Sequence, residues 1–203
     1  MKFLTTAVVA TASIAALSAV AISAQTQKTY DIKVSKDATI LRSTVSCPNC
    51  PERNCYKCTL GADPTLVVSN GGLAVNYALL GFTLPSETIG RPDRLDKCLL
   101  ELPASTTNLT QAVTLPISAA ASPFWDEYSV SGSNAPTVGD NIGSVVVPSY
   151  NGVPAQVDLT AACKAASTSG AGFSIYIDPY GANYVQFPSK EGGQASYLHV
   201  TIH

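Results

Sequence analysis

Apolar and polar residues alternate in short runs along most of this chain, and turn residues break the runs at close intervals. The pattern predicts strands at DATILRS (37–43), TLVVSN (65–70), YALLGFTLP (77–85), DKCLLELP (96–103), AVTLPIS (112–118) and EYSVSG (127–132). It predicts five more at SVVVP (144–148), AQVDLT (155–160), GFSIYI (172–177), YVQFP (184–188) and SYLHVTI (196–202). Pro85, Pro103, Pro148 and Pro188 stand where strands stop, the position at which a sheet tolerates a residue without an N–H donor. Only TAACKAAST (160–168) reads as a helix, with Thr160 as its cap. No linker or internal repeat divides the pattern. The expected fold class is all-β, an antiparallel β-sandwich of jelly-roll type with one short helix.

Alternation also assigns faces. With Phe173, Ile175 and Ile177 turned to the core, Ser174, Tyr176 and Asp178 face outward. Inward Val185 and Phe187 leave Tyr184 and Gln186 outside, and inward Leu198, Val200 and Ile202 leave Tyr197, His199 and Thr201 outside. On the condition that these three strands share one sheet, its outer face carries Tyr176, Tyr184 and Tyr197 beside Gln186 and His199. Flat rings next to hydrogen-bonding side chains suit a sugar, which offers CH patches for stacking and hydroxyls at its rim. These five residues are therefore the candidate carbohydrate-binding set, and a polysaccharide is the candidate partner. The competing reading makes the tyrosines cross-strand pairs that support the sheet.

The N-terminus sets the compartment. Met1-Lys2 precedes an apolar run from Phe3 to Ile22 that ends in the small residues Ser23 and Ala24, the pattern of a secretory signal peptide over residues 1–24. A retained membrane anchor is the rival reading of that run. Cleavage leaves roughly 179 residues, 25–203, enough for one domain with a sizeable core. The product is expected to be secreted, extracellular or associated with a cell wall, and to have no membrane partner once the leader is removed.

Secretion decides how to read CPNCPERNCYKC (47–58), whose two CxxC pairs have zinc-site spacing. An oxidising pathway joins unoccupied thiols, so disulfides are preferred over a metal site for Cys47, Cys50, Cys55, Cys58, Cys98 and Cys163. Six cysteines allow 15 pairings; two bridges within the cluster and one from Cys98 to Cys163 is the simplest. Charged residues make up 13% of the chain, the net charge is -2 and neither sign clusters, which argues against a nucleic-acid partner. Asn108 in NLT is an N-glycosylation acceptor. Nothing in the sequence specifies an oligomeric state.

A series of landmarks then resembles a known family. YALLGFTLPSETI, LDKCLLELP, FWDEYSVSGSNAP, VDLTAAC, GFSIYI and VQFPSKEGGQASYLHVTI occur in the order found in DNRLRE-type domains, carbohydrate-binding module family 96. The resemblance runs from about Asp37 to His203, and the leader, the sequon and the cysteine-rich insertion suggest a fungal or fungus-like source. It implies a jelly-roll module of the kind appended to polysaccharide-degrading enzymes or found in surface and wall proteins. Gly81 and Thr83 depart from it, standing where the family usually has Arg and Asp. Within this reading Trp125 is either a buried landmark beside a buried Phe124, the preferred role, or an exposed sugar platform, and Glu127 shares its face in an extended segment, where it can pair with a Lys or Arg. No cofactor is implied, with one exception. By analogy with other carbohydrate-binding jelly rolls, Asp37 and Glu191 can contribute to a structural calcium, although turn or salt-bridge roles are the preferred reading in the absence of a DxDxDG-like loop.

Enzyme signatures do not appear. There is no GxSxG, no HExxH and no phosphate loop, and the two histidines, His199 and His203, lie at the end of the chain. Asp126 and Glu127 would point to opposite sides of a strand, unlike the paired acids of a glycoside hydrolase. The leading expectation is a non-catalytic carbohydrate-binding protein. The alternatives are a disulfide-stabilised structural or adhesive surface protein, and a metal-binding protein using the CxxC pairs.

Overall fold

The computed structural model describes residues 26–43, 45–71, 73–149 and 152–203; the leader expected over residues 1–24 lies outside them. The strands are β1 (Lys28–Lys33), β2 (Lys36–Ser43), β3 (Thr65–Asn70), β4 (Ala74–Thr83), β5 (Leu95–Leu102) and β6 (Val113–Ala120). They continue with β7 (Val138–Val147), β8 (Ala155–Asp158), β9 (Gly172–Ile177), β10 (Tyr184–Pro188) and β11 (Tyr197–Ile202), and α1 (Thr160–Ser169) lies between β8 and β9. A four-stranded antiparallel sheet has the order β1-β11-β5-β8. A seven-stranded one has the order β10-β3-β4-β9-β6-β7, with β2 paired to β4 from Lys36↔Gly81 to Ser43↔Ala74. The two form an all-β sandwich.

The core lies between the sheets and is filled by one parity of each strand. Leu66 and Val68, Leu80 and Phe82, Leu115 and Ile117, Phe173 and Ile175, and Val185 and Phe187 enter it from one side. Cys98, Leu100 and Leu102 enter with Leu198, Val200 and Ile202 from the other. Each such side chain is worth roughly 1.5–3 kcal/mol on burial, so this register is strongly specified: a one-residue slip would expose the whole set.

Three features differ from expectation. EYSVSG forms a turn rather than a strand. Asp126 accepts through its carbonyl from Val130 N (2.9 Å) and through Oδ1 from Ser129 N (3.0 Å), while Asn134 Oδ1 accepts from Ser131 N (2.7 Å). These local side-chain acceptors close the backbone on itself and outcompete sheet pairing. Strand β1 was not anticipated; Tyr30 and Ile32 pack on the core while Asp31 and Lys33 stay in water, as suits a charged edge strand. Thr160 opens α1 but does not cap it: its N–H donates to Asp158 Oδ1 (2.8 Å), and its hydroxyl accepts from Cys98 N (2.9 Å), tying the helix to β5.

Three disulfides join Cys47–Cys55, Cys50–Cys58 and Cys98–Cys163, and no cysteine is free among the described residues. No thiolate therefore remains for a metal at the CxxC pairs. The first two bridges interleave around Glu52 and Arg53, whose left-handed backbones (φ 53° and 54°) cost about 1–2 kcal/mol per residue without such a constraint. The third closes a separation of 65 residues and fixes α1 against β5. Replacing Cys98 and Cys163 together by Ala is expected to cost about 4 kcal/mol in urea unfolding. A cost below about 1 kcal/mol would mean that packing alone docks the helix.

Candidate functional site

The outer face of the four-stranded sheet carries three rows of side chains set by its register. Lys33, Tyr197, Glu101 and Gln156 lie across one row; Asp31, His199, Leu99 and Asp158 across the next; Thr29, Thr201 and Lys97 across the third. The Tyr197 and His199 rings stack at 6.3 Å with an interplanar angle of 18°. His199 is held between carboxylates, with Nδ1 2.7 Å from Asp31 Oδ1 and Nε2 3.6 Å from Glu101 Oε2. The result is a partly exposed aromatic surface ringed by charged and amide groups.

An open groove of about 680 Å³ adjoins it, lined by Glu101, Pro103, Thr106, Pro154, Gln194 and Tyr197 among others. The segment after β5 forms one wall because it bonds to β10: Ser105 Oγ (3.0 Å) and Thr106 N (2.9 Å) donate to Gln186 O, and Gln186 N donates to Thr107 Oγ1 (2.8 Å). Gln186 thus stands behind this wall. Asn108 lies in the same connection and is exposed.

The five sequence candidates do not form one face. Strands β9 and β10 belong to the seven-stranded sheet and β11 to the other, so Tyr197 and His199 are brought together while Tyr184, 50% exposed, lies on a different sheet. Tyr176 is fully buried. It does point away from the main core, as alternation requires, but residues 121–137 cover that face. Ala38, Leu79 and Tyr176 form a row there, packed with Ile40, Val130, Tyr77 and Trp125. The Tyr176 hydroxyl donates to Pro136 O at 2.6 Å, and its ring meets Tyr77 edge-on at 5.9 Å. Burial pushes its phenol up to about 12. Lys33, Glu101 and Gln156 were missed because strand pairing, which alternation does not give, sets them beside Tyr197.

The covering segment is fastened by charged groups. Lys36 Nζ donates to Pro123 O (2.8 Å) and Trp125 O (2.7 Å) and lies 4.4 Å from the Trp125 ring, whose Nε1 donates to Ser174 Oγ (3.0 Å). Trp125 is partly buried, whereas Phe124 is 88% exposed, contrary to the expectation for SPFW: Pro123 and Trp125 are drawn to Lys36, which leaves the ring between them outside. Glu127 is buried; Oε1 accepts from Asp37 N (2.6 Å) and Oε2 pairs with Lys190 Nζ (2.8 Å). Lys190 also pairs with Glu191. Burial works against the Lys190 ammonium, but its bonds to Glu127 and Glu191 outweigh it and hold its pKa above the ordinary lysine value. Asp37 has Oδ2 bonded to Lys190 N (2.9 Å), while its Oδ1 is buried without a partner. Burial pushes this carboxyl up to about 7.

The sequence model of carbohydrate-binding module family 96 matches residues 55–202. The chain belongs to this family. An uncharacterized secreted protein of Arthroderma benhamiae is 42% identical over 166 residues, which cover 81% of this chain and 80% of the relative. The family match begins inside the cysteine cluster rather than at Asp37, so β1 and β2 precede it.

One family departure has a steric reason. A Cβ at Gly81 would lie 2.8 Å from the Lys36 stem and 3.2 Å from the Trp125 ring. A larger residue there is incompatible with Lys36 and Trp125 as they are placed. Tyr176→Phe is expected to lose about 1–2 kcal/mol of stability, because Pro136 O is left without its donor, and to leave glycan retention unchanged. Denaturant unfolding beside a retention assay checks this; reduced retention with stability intact would put Tyr176 back in a binding role. Tyr176→Ala would instead empty a core site at a cost of roughly 3–5 kcal/mol.

Proposed function

We propose that this protein is a secreted, non-catalytic carbohydrate-binding protein that holds an extracellular or cell-wall polysaccharide on the outer face of its four-stranded sheet. Membership of a carbohydrate-binding family and a secreted relative support the reading, and no helix among the described residues is long and apolar enough to cross a membrane. The observation that carries the site is the stacked Tyr197–His199 pair, set among Lys33, Asp31, Glu101 and Gln156 beside the groove. The Tyr197 ring offers a stacking surface for sugar CH groups, the amide and charged groups take hydroxyls, and the groove extends the contact to further sugar units. Gln186 belongs to the flank through its bonds to the groove wall, with Asn108 as a glycosylation acceptor on the same loop, while Tyr184 lies on the other sheet.

Charges of both signs are interleaved on this face, with Lys33 and Lys97 among Asp31, Glu101 and Asp158. Such a surface exerts little net steering, which favours a neutral polysaccharide over a polyanion. An open face buries only part of a ligand, so affinity per site is expected in the range of about micromolar to millimolar.

Exposed Phe124 and Tyr128, both on the covering segment, favour a second reading in which an adhesive surface meets a protein. Retention on a panel of soluble and insoluble polysaccharides separates the two. Tyr197→Ala is expected to weaken retention roughly tenfold, the loss of one stacking contact, while Phe124→Ser leaves it unchanged. Retention unaffected by Tyr197→Ala would remove the site, and no retention on any glycan would move the function to the second reading.

A further inference from the structure

Three segments distant in sequence bring carboxylates together, two of them buried and the third, Glu191, at the exposed edge. Asp37 comes from the start of β2, Glu127 from the covering segment and Glu191 from the turn after β10, and one oxygen of each lies within 4.8 Å of the others. Asp37 is 1% exposed and Glu127 7%. The two Asp37 oxygens differ: Oδ2 takes the Lys190 N–H, and Oδ1 is buried without a partner. An unpartnered buried carboxylate oxygen is costly, because desolvation is not offset by any donor.

The charges do not balance either. Ionised, the three carboxylates meet one ammonium, that of Lys190, which leaves two negative charges uncompensated within the cluster. Lys36 is the other nearby cation, and its ammonium is directed at the carbonyls of Pro123 and Trp125. The donors are all oxygen, with no imidazole or thiolate among them. That set matches a hard cation, and irregular placement on three segments suits calcium better than the rigid octahedron magnesium demands.

We propose that Asp37, Glu127 and Glu191 form a calcium site whose ion takes the place of the Lys190 ammonium and locks the 121–137 segment onto β2 and the 189–193 turn. With the Lys190 ammonium displaced, Asp37 Oδ1, Glu127 Oε2 and the Glu191 carboxylate supply the protein oxygens, and water completes the six to eight that calcium takes. Lys190, partly exposed at its side chain (18%), can swing outward when the ion enters. The ion is structural: it fixes the segment over Tyr176, not the Tyr197 face.

The test is thermal and does not depend on glycan binding. Chelator-treated full-length mature protein is titrated with calcium or magnesium chloride while Tm is followed, with calorimetric titration alongside, for the wild type, Asp37→Asn, Glu191→Gln and Lys190→Met. Calcium at millimolar concentration, the range of extracellular calcium modules, is expected to raise the wild-type Tm. At a hundredfold excess over Kd the rise is about 5–10 °C. Magnesium should do less, and Asp37→Asn and Glu191→Gln should lose most of the response. Lys190→Met, which removes the competing ammonium, is expected to bind calcium at least tenfold more tightly and to recover with calcium the stability it lacks without it. No Tm shift and no heat in either the wild type or Lys190→Met would overturn the proposal, leaving Lys190 as the cluster's only counter-ion. A wild-type shift that persists in both Asp37→Asn and Glu191→Gln would also overturn it, since the ion would then sit elsewhere.

Discussion

Covering the outer face of the seven-stranded sheet is the constraint on which much of this structure depends. Ala38, Ile40, Leu79 and Tyr176 present an apolar surface there, and leaving the three large side chains in water would forgo several kcal/mol, a large part of a domain's net stability. The 121–137 segment supplies the cover without forming a strand, so side chains carry much of its attachment. Two adjacent residues at the start of β2 provide it. Lys36 grips the Pro123 and Trp125 carbonyls and the indole, and the Asp37 backbone meets Glu127, whose second oxygen reaches Lys190. Breaking the Glu127–Lys190 pair leaves a buried charge without its partner, which costs more than the pair itself contributes.

The cysteine cluster acts on the same segment. Ser133 N donates to Tyr56 O (2.9 Å), between Cys55 and Cys58, and a Cβ at Gly132 would lie 2.4 Å from Leu41 O and 3.1 Å from the Tyr56 ring. A Cβ at Gly61, just past the last cysteine, would fall 1.9 Å from Glu127 O. Backbone therefore meets backbone on both sides of the segment, and glycine alone fits. Two interleaved disulfides give a short, polar loop the rigidity to serve as such a brace.

Much of the fold was legible because strand periodicity fixes which side chains share a face. The inward residues of β9, β10 and β11 are the ones alternation names, and Pro85, Pro103, Pro148 and Pro188 do stand at strand ends. Two things lay beyond that signal. Periodicity does not say which sheet a strand joins, so Tyr197 and His199 were grouped with tyrosines that lie elsewhere. Nor does it say whether an outer face is wet, and Tyr176 is outward yet fully buried. The short alternation of EYSVSG misled for a different reason: Asp126 and Asn134 beside it supply competing local hydrogen bonds. Glu127 and Trp125 were legible as a motif, but what they hold depends on Lys36 and Lys190, which stand 89 and 63 residues from them.

The two outer faces show how composition could have told covered from open. On the seven-stranded sheet the outward row reads Ala38, Leu79, Tyr176. Such a row requires a lid. On the four-stranded sheet the outward rows read Lys33, Tyr197, Glu101, Gln156 and Asp31, His199, Leu99, Asp158. No lid is needed there, because most of these groups are better solvated than buried. Within those polar rows Tyr197 and Leu99 are the apolar exceptions, adjacent on a surface that is otherwise hydrophilic. Both are only partly buried, and a ligand with CH patches and hydroxyls would meet both kinds of group there at once. The two faces differ because of the sandwich itself: one outer face is committed to holding the covering segment, and the other is left open, which is why the proposed glycan contact is placed there.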